Sequence, residues 1–234
     1  MPLLLPGSLI LRSRSAAVPT TLVAYLASIG KASFYARFLA GQGMAVNSDG
    51  SGGAVANGGA VGKWSAFESS NYAASFTQPT SASRPAYGAS RDGKPGLFGN
   101  ASSWFMALDS TTANNQSFTL LMSGWMVAEA ASWVSQNSAS FVIKTTLGTT
   151  ATDNVSIGGF VTNTAPQAWR KSLSGGSNSL RMGVATTSAS HYSAPMNIFR
   201  RSSGNEYSSS TIHELWIVPP LTAAEISKAI DYLA

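Results

Sequence analysis

Apolar and polar residues alternate over short runs along most of the chain, and Gly, Ser, Asn and Pro separate the runs. The clearest runs are residues 34–39, 117–128, 140–147, 154–162, 179–187 and 196–200. Alternation with a period of two predicts strands, and the turn residues between them leave no room for intervening helices. We therefore predict an all-β chain that folds as an antiparallel sandwich rather than an α/β sheet.

Residues 211–234 form the most regular unit of the chain. Residues 211–218 (TIHELWIV) predict a strand, which two prolines end because proline offers no N–H to a strand ladder. Thr222, with Glu225 three residues later, has the pattern of a helix capping box. Apolar residues recur at helical spacing after this cap, so we predict a closing helix over residues 223–233 that lies on an apolar surface built earlier in the chain.

Residues 1–32 are predicted to be an N-terminal arm, and residues 33–234 a single sandwich domain. The arm starts with an apolar tip between two prolines, MPLLLPG. It continues into a short amphipathic helix with Leu22, Tyr25, Leu26 and Ile29 on one face and Gly30 as its stop. A signal peptide is the weaker interpretation because Pro, Thr and Ser interrupt the apolar run. The tip would dock on a partner subunit or be buried against its own domain.

Composition narrows the function classes. Charged residues make up 11% of the chain, against about a quarter in typical domains. The formal charge of +5 is spread over scattered pairs such as Arg200-Arg201, which argues against nucleic-acid binding. There is no cysteine, so disulfides and thiolate metal sites are excluded. No apolar run approaches the roughly 18 residues of a membrane-spanning helix, so we predict no membrane segment.

Several short motifs occur in a characteristic order. They are Lys63-Trp64-Ser65, Gln78 with Arg84-Pro85, Asp92-Gly93-Lys94-Pro95 before Phe98, Ser117-Phe118-Thr119-Leu120, and Glu214-Leu215 followed by Leu221-Thr222 and Glu225. In this order they resemble a concanavalin A-like (laminin G-like) jelly-roll domain of the kind found in bacteriophage tail and other virion proteins. Ser65-Ala66-Phe67-Glu68 stands where that family has Asp-x-Ser-Gly, so the ligand or calcium contact of that aspartate is not carried over.

The resemblance implies a fold and a role. The closing strand would pair with an early strand, and the terminal helix would cover a sheet edge. The chain would be a non-enzymatic structural protein of the virion, as a tail or capsid-surface subunit. It would contact other virion subunits through its arm and use a lectin-like sandwich for host attachment. We expect a homo-oligomer, although no heptad repeat specifies one. The alternative is a soluble carbohydrate-binding module with no role in assembly.

The ionisable residues do not suggest an enzyme. Glycoside hydrolysis needs two carboxylates roughly 5–10 Å apart, and no predicted strand carries two acids at alternate positions on one face. His191 and His213 lack a Gly-x-Ser-x-Gly elbow and a metal-ligand partner at suitable spacing. We predict that both histidines are structural and that the chain has no catalytic residues.

Sugar binding would need an aromatic plane with amide and carboxylate groups beside it. Trp104 and Asp109 lie in a loop region that offers such groups, while Trp64 and Trp169 lie beside Lys63 and Arg170. The predicted ligand-binding residues for a bacterial surface glycan are therefore Trp64, Trp104, Asp109 and Trp169. Core packing is the alternative for Trp104, and it is also the expectation for Trp125, Trp133 and Trp216, because strand tryptophans usually fill a sandwich.

Asn47-Ser48-Asp49-Gly50-Ser51 resembles a fragment of a calcium loop. The bidentate acid of a complete EF-hand loop is missing. We therefore expect a solvated turn and predict no cofactor, with calcium as the alternative for this segment.

Overall fold

The structure, a computed structural model, describes residues 19–90, 93–100, 102–108, 117–126, 131–136, 141–146, 154–158, 167–174, 177–185, 196–200 and 210–233. The described residues form two antiparallel β-sheets with two short α-helices packed on one of them. The predicted antiparallel all-β architecture is confirmed, and each of the six predicted runs contains a strand. No helix in the described ranges is long and apolar enough to cross a membrane.

The first sheet, sheet A, has the order β13-β14-β9-β16-β1-β4, and a branch in which β7 pairs with β16 and β6 pairs with β7. Its strands are β1 (Tyr35–Leu39), β4 (Glu68–Ser70), β6 (Ala86–Ala89), β7 (Pro95–Phe98), β9 (Thr119–Met126), β13 (Gln167–Ser174), β14 (Ser177–Ala185) and β16 (Thr211–Val218).

The second sheet, sheet B, has the order β12-β11-β10-β15-β8-β5-β3-β2. Its strands are β2 (Met44–Ala45), β3 (Lys63–Ser65), β5 (Ser75–Thr77), β8 (Met106–Leu108), β10 (Ala131–Gln136), β11 (Phe141–Thr146), β12 (Asn154–Gly158) and β15 (Met196–Ile198).

The main core lies between the two sheets. Phe38 of sheet A packs edge-on against Trp64 and Phe76 of sheet B, with ring centroids 5.5 and 4.9 Å apart. Leu120, Met122, Leu215 and Ile217 of sheet A belong to the same buried cluster. Every second residue of β9 and of the end of β16 therefore points inward, as the pleat of a strand requires.

A second apolar layer covers the outer face of sheet A. Helix α1 (Leu22–Ser28) and helix α2 (Ala223–Ala229), which continues as a 3₁₀-helix over Ile230–Tyr232, pack there. The buried residues of this layer include Leu22, Leu26, Leu121, Trp216, Val218, Ile226 and Ile230. Because both faces of the sheet are covered, β16 is buried at all eight positions, including the polar residues Thr211, His213 and Glu214.

The closing unit follows the sequence prediction closely. β16 spans the predicted residues and pairs with the early strand β1 as well as with β9. Thr222 Oγ1 accepts from the Glu225 N–H at 3.3 Å, and the Glu225 carboxylate accepts from the Thr222 N–H at 2.7 Å. These two bonds form the predicted capping box. Helix α2 contacts β14 and the edge strand β13. It therefore covers this edge of sheet A from the outer face.

Helix α1 lies where the sequence predicts an amphipathic helix. The Thr21 side chain accepts from the Ala24 N–H at 3.1 Å, and Gly30 adopts a left-handed φ of +69° after the helix. Leu22, Tyr25 and Leu26 are buried. This part of the predicted arm is therefore packed onto the sheet as part of the outer layer. Residues 1–18, with the apolar tip, lie outside the described residues.

Candidate functional site

An ion pair between a partly exposed arginine and a buried carboxylate lies on the outer face of sheet A. Arg37 Nε donates to Glu214 Oε1 at 2.7 Å, and Trp216 Nε1 donates to the same oxygen at 2.9 Å. The Glu214 side chain is 1% exposed. The Arg37 guanidinium lies over the Trp216 indole, 5.1 Å from its centroid. Glu214 is thus held from two sides, and it fixes the direction of the arginine.

Strand register brings these residues together. Arg37 of β1 lies opposite Trp216 of β16 on one side and opposite Glu68 of β4 on the other. Directly opposite residues in an antiparallel pair have side chains close enough to interact. Arg37 Nη1 is 3.5 Å from Glu68 Oε2, and the Glu68 side chain is 39% exposed. One guanidinium therefore links a buried carboxylate to a solvent-accessible one.

A β-bulge in β16 places Glu214 on this face. Ile212 pairs with Gly124 and Glu214 pairs with the next residue, Ser123, so His213 is an extra residue in the ladder. Strict alternation would put Glu214 on the same inner face as Ile212. The extra residue reverses the phase, and Glu214 shares the outer face with Trp216.

His213 holds the bulge in place. The side chain is buried, and Nδ1 lies 2.8 Å from the carbonyl oxygen of Pro95 in β7. Its own carbonyl oxygen accepts from the Ala40 N–H at 2.9 Å. These contacts agree with the structural role predicted for His213, whereas His191 lies outside the described residues.

A pocket of about 220 Å³ opens beside Arg37. Its walls are residues 20–23 at the start of α1, Arg37, Glu68 and Trp216 on sheet A, and Tyr232 at the end of the chain. Tyr232 stacks on Tyr25 with ring centroids 5.4 Å apart, and its hydroxyl donates to the Pro19 carbonyl at 3.3 Å. The two ends of the described chain thus build one side of the pocket, and the sheet builds its floor.

Tyr25, which stacks on Tyr232 beside the pocket, has a raised pKa. Burial raises the pKa of the Tyr25 hydroxyl above 10.0, and the charges of Glu225 and Tyr232 raise it further. Tyr25 also donates to the Glu225 carbonyl oxygen at 3.3 Å. The hydroxyl thus remains protonated at neutral pH and acts as a donor that joins α1 to α2.

Trp64, which the sequence analysis predicts to be a surface residue that binds a ligand, is buried in the structure. Its side chain is 0% exposed and lies in the main core, where Nε1 donates to the Leu39 carbonyl at 3.3 Å. Within β3, Lys63 and Ser65 point away from the core, and the residue between them must point into it. The adjacent lysine therefore marks the opposite face of the strand.

Of the other predicted site residues, Trp104 is the one whose side chain is described. Trp104 is half-buried in a turn whose backbone N–H groups bond to Asn100, including that of Trp104 at 2.9 Å. The Asn100 amide oxygen is thereby used within the turn. Asp109 lies outside the described residues, and only the backbone of Trp169 is described, opposite Met182 in β14. Trp125 and Trp216 are buried, as expected for core tryptophans.

The predicted calcium-like segment forms a hydrogen-bonded turn. Asp49 Oδ1 accepts from the Ser51 N–H at 2.8 Å, and Asn47 Nδ2 donates to Ser51 Oγ at 3.0 Å. The backbone bond from Ser51 lowers the pKa of Asp49, and the charge of Lys63 lowers it further. A nearby ammonium opposes cation binding. Among the described residues, no group of three or more His, Asp or Glu side chains is placed to hold a metal ion.

Two motif residues of the family resemblance have structural contacts. Gln78 is 2% exposed, and its side chain donates to the Phe105 carbonyl at 3.1 Å and accepts from the Thr80 N–H at 3.0 Å. Arg84 donates to the carbonyls of Gln78 and Pro79 at 3.0 and 3.2 Å. Gln78 and Arg84 therefore hold the loop that precedes β6 through hydrogen bonds to backbone groups.

Sequence reasoning missed the Arg37 cluster because it considered acids along single strands. The three ionisable residues come from three different strands, and only the strand order unites them.

We compared the chain with protein-family models, curated proteins and solved structures, and none of the three comparisons returned a match.

Proposed function

We propose that the chain is a non-enzymatic structural subunit of a phage particle, placed on the tail or capsid surface, that carries a lectin-like sandwich for attachment to a bacterial surface glycan. The main support is the position of the closing strand, since the resemblance to concanavalin A-like virion domains predicts that it pairs with an early strand. β16 pairs with β1 in the centre of sheet A. We assign the two sheets to a jelly roll on the same ground.

The absence of catalysis is part of this proposal. Glu214 is 1% exposed, and one of its oxygens receives two N–H donors. A carboxylate that is buried and held in this way positions its neighbours and is out of reach of a ligand. Glu68 is exposed, and its charged partner is the Arg37 guanidinium. Because Glu214 is buried, the cluster offers a ligand one accessible carboxylate, whereas glycoside hydrolysis uses two.

A soluble carbohydrate-binding module is the second candidate, and the pocket beside Arg37 favours it. A guanidinium and an accessible carboxylate at one small pocket suit polyhydroxyl ligands, because hydroxyl groups both accept and donate hydrogen bonds. The two candidates differ in assembly rather than in sugar binding. A virion subunit would dock on neighbours through the N-terminal segment, and a soluble module would not.

Glycan-array binding of the full-length protein tests the adhesion part of the proposal. The array is run with and without calcium and beside a heat-unfolded control. Fold-dependent binding to one sugar class is the expected result, and no binding by the native protein would refute adhesion.

Deletion of residues 1–18 tests the docking part. The deletion must stop there because Leu22, Tyr25 and Leu26 belong to the outer layer. Light scattering would measure oligomeric state, and mass spectrometry of purified particles would detect incorporation. Lost association with unchanged sugar binding supports the virion role, and unchanged association and incorporation would favour the soluble module.

A further inference from the structure

The pocket beside Arg37 has a definite size and charge, which together restrict what it can hold. At about 220 Å³ it is smaller than the roughly 300–1,000 Å³ of sites for drug-sized ligands. It can take one small ring or a short polyol, and not a long oligosaccharide. Any longer glycan would have to place a single unit in it.

The charges around the pocket do not favour an acidic ligand. Arg37 supplies one positive charge, and Glu68 and Glu214 supply two negative charges. Glu214 already holds the guanidinium through Nε at 2.7 Å. An incoming carboxylate would therefore meet an arginine whose charge is already neutralised, and the carboxylate of Glu68 would repel it.

The accessible polar groups match hydroxyl groups. Arg37 is 26% exposed and lines the pocket with its guanidinium donors, and Glu68, 39% exposed, offers carboxylate acceptors. Two neighbouring hydroxyl groups of a ligand can accept a hydrogen bond from Arg37 and donate one to Glu68. The Arg37–Glu68 contact, at 3.5 Å, is long for a hydrogen bond, so a ligand hydroxyl could bond both groups without breaking a strong bond.

The rest of the site holds these groups ready for a ligand. Glu214 accepts a hydrogen bond from Arg37, and the guanidinium lies over the indole of Trp216, so both residues fix the position of Arg37. The stacked Tyr25 and Tyr232 and the Thr21 cap fix the opposite wall. A prearranged site loses less side-chain freedom on binding, which raises affinity for a small ligand.

We propose that this pocket binds a single neutral sugar unit through Arg37 and Glu68 and discriminates against acidic sugars. The proposal rests on the proposed function, in which the sandwich binds a glycan, and it moves the site from the tryptophans to the outer face of sheet A. Arg37 and Glu68 are the contacting residues, and Glu214 is a positioning residue.

Ligand-observed NMR on the full chain tests the proposal with galactose, glucose and mannose, each beside its uronic acid. The variants are Glu68→Ala and Thr20→Trp, which places a large side chain at the exposed mouth. Asp49→Asn is the matched control, because it also removes one negative charge but lies in a turn that does not line the pocket. We expect a neutral sugar to bind, and its affinity to fall about tenfold or more in Glu68→Ala, since bonds to a charged group are lost. Asp49→Asn should bind as the unaltered protein does.

The outcomes separate the pocket from the function. Sugar binding that persists within twofold in both Glu68→Ala and Thr20→Trp overturns the pocket and leaves the glycan proposal standing. A uronic acid bound as tightly as its neutral counterpart overturns the charge argument. No binding of any glycan, on the array or by NMR, overturns both proposals together.

Discussion

Removing the Glu214 carboxylate should destabilise the protein far more than removing that of Glu68, although both acids contact Arg37. The paired variants are Glu214→Ala and Glu68→Ala, which delete the same chemical group and change the net charge equally. They differ in burial, since the two side chains are 1% and 39% exposed, and in distance to Arg37, 2.7 against 3.5 Å.

The magnitude follows from the groups left without partners. Loss of Glu214 leaves the buried Trp216 N–H without an acceptor, which costs about 1–3 kcal/mol. Breaking a fully buried ion pair costs about 3–5 kcal/mol. Arg37 is partly exposed and keeps Glu68 nearby, so losing its ion pair with Glu214 costs less than this. We expect Glu214→Ala to lower the free energy of unfolding by about 2–4 kcal/mol in total. An exposed pair such as Arg37–Glu68 contributes only about 0–1 kcal/mol.

Urea and thermal unfolding, followed by far-ultraviolet circular dichroism, measure both variants. For a domain of this size each kcal/mol lowers Tm by about 2–4 °C, so Glu214→Ala should unfold roughly 4–16 °C earlier than the unaltered protein. Equal stability of the two variants, within about 0.5 kcal/mol, would show that burial does not set the strength of this ion pair, and the reasoning would fail.

Three further predictions concern the outer layer. Gly183→Ala would place a methyl group against Ile226 and Leu121, so urea unfolding should show a loss of about 1–3 kcal/mol, and Ile226→Ala should cost less in that background than alone. Thr222→Ala removes the capping bond to Glu225 and should cost about 1 kcal/mol, whereas Thr222→Ser should cost little; equal losses would rule out the hydroxyl. Because the pKa of Tyr25 is raised above 10.0 in the folded chain, the unfolded chain ionises first, and stability should fall as pH rises past 10. This fall should be smaller in Tyr25→Phe. If stability falls equally with pH in the variant and in the unaltered protein, Tyr25 is not its cause.

Local signals at the end of the chain are strong, and prediction succeeded there. The two prolines end β16 at Val218, and Thr222 with Glu225 forms the capping box. Both signals act between residues a few positions apart, so no knowledge of the fold is needed. The helix end was less well predicted, because the last turn tightens into a 3₁₀-helix over Ile230–Tyr232.

Prediction failed where the result depends on strands distant in sequence. Arg37 is 31 positions from Glu68 and 177 from Glu214, and only the order β16-β1-β4 makes them neighbours. The strands that were not predicted include β10 and β13, whose segments are rich in small and polar residues. For β13 a signal was present: it ends at Ser174, β14 begins opposite at Ser177, and Gly-Gly stands between them in the sequence.

The bulge could also have been inferred from the sequence. In a regular strand the inward apolar residues are two apart, but Ile212 and Leu215, which both enter the main core, are three apart. That spacing requires one extra residue in the ladder.

The bulge at His213 makes β16 one residue longer than its ladder with β9 needs. Without His213, Ile212 and Leu215 would be two positions apart and would both still face the core, and Glu214 between them would still face outward beside Trp216. The extra residue adds two contacts, one from its ring to the Pro95 carbonyl and one from its carbonyl oxygen to the Ala40 N–H. These contacts tie β16 to β7 and to the residue that follows β1. A strand one residue shorter at this point would keep its two faces and lose this junction.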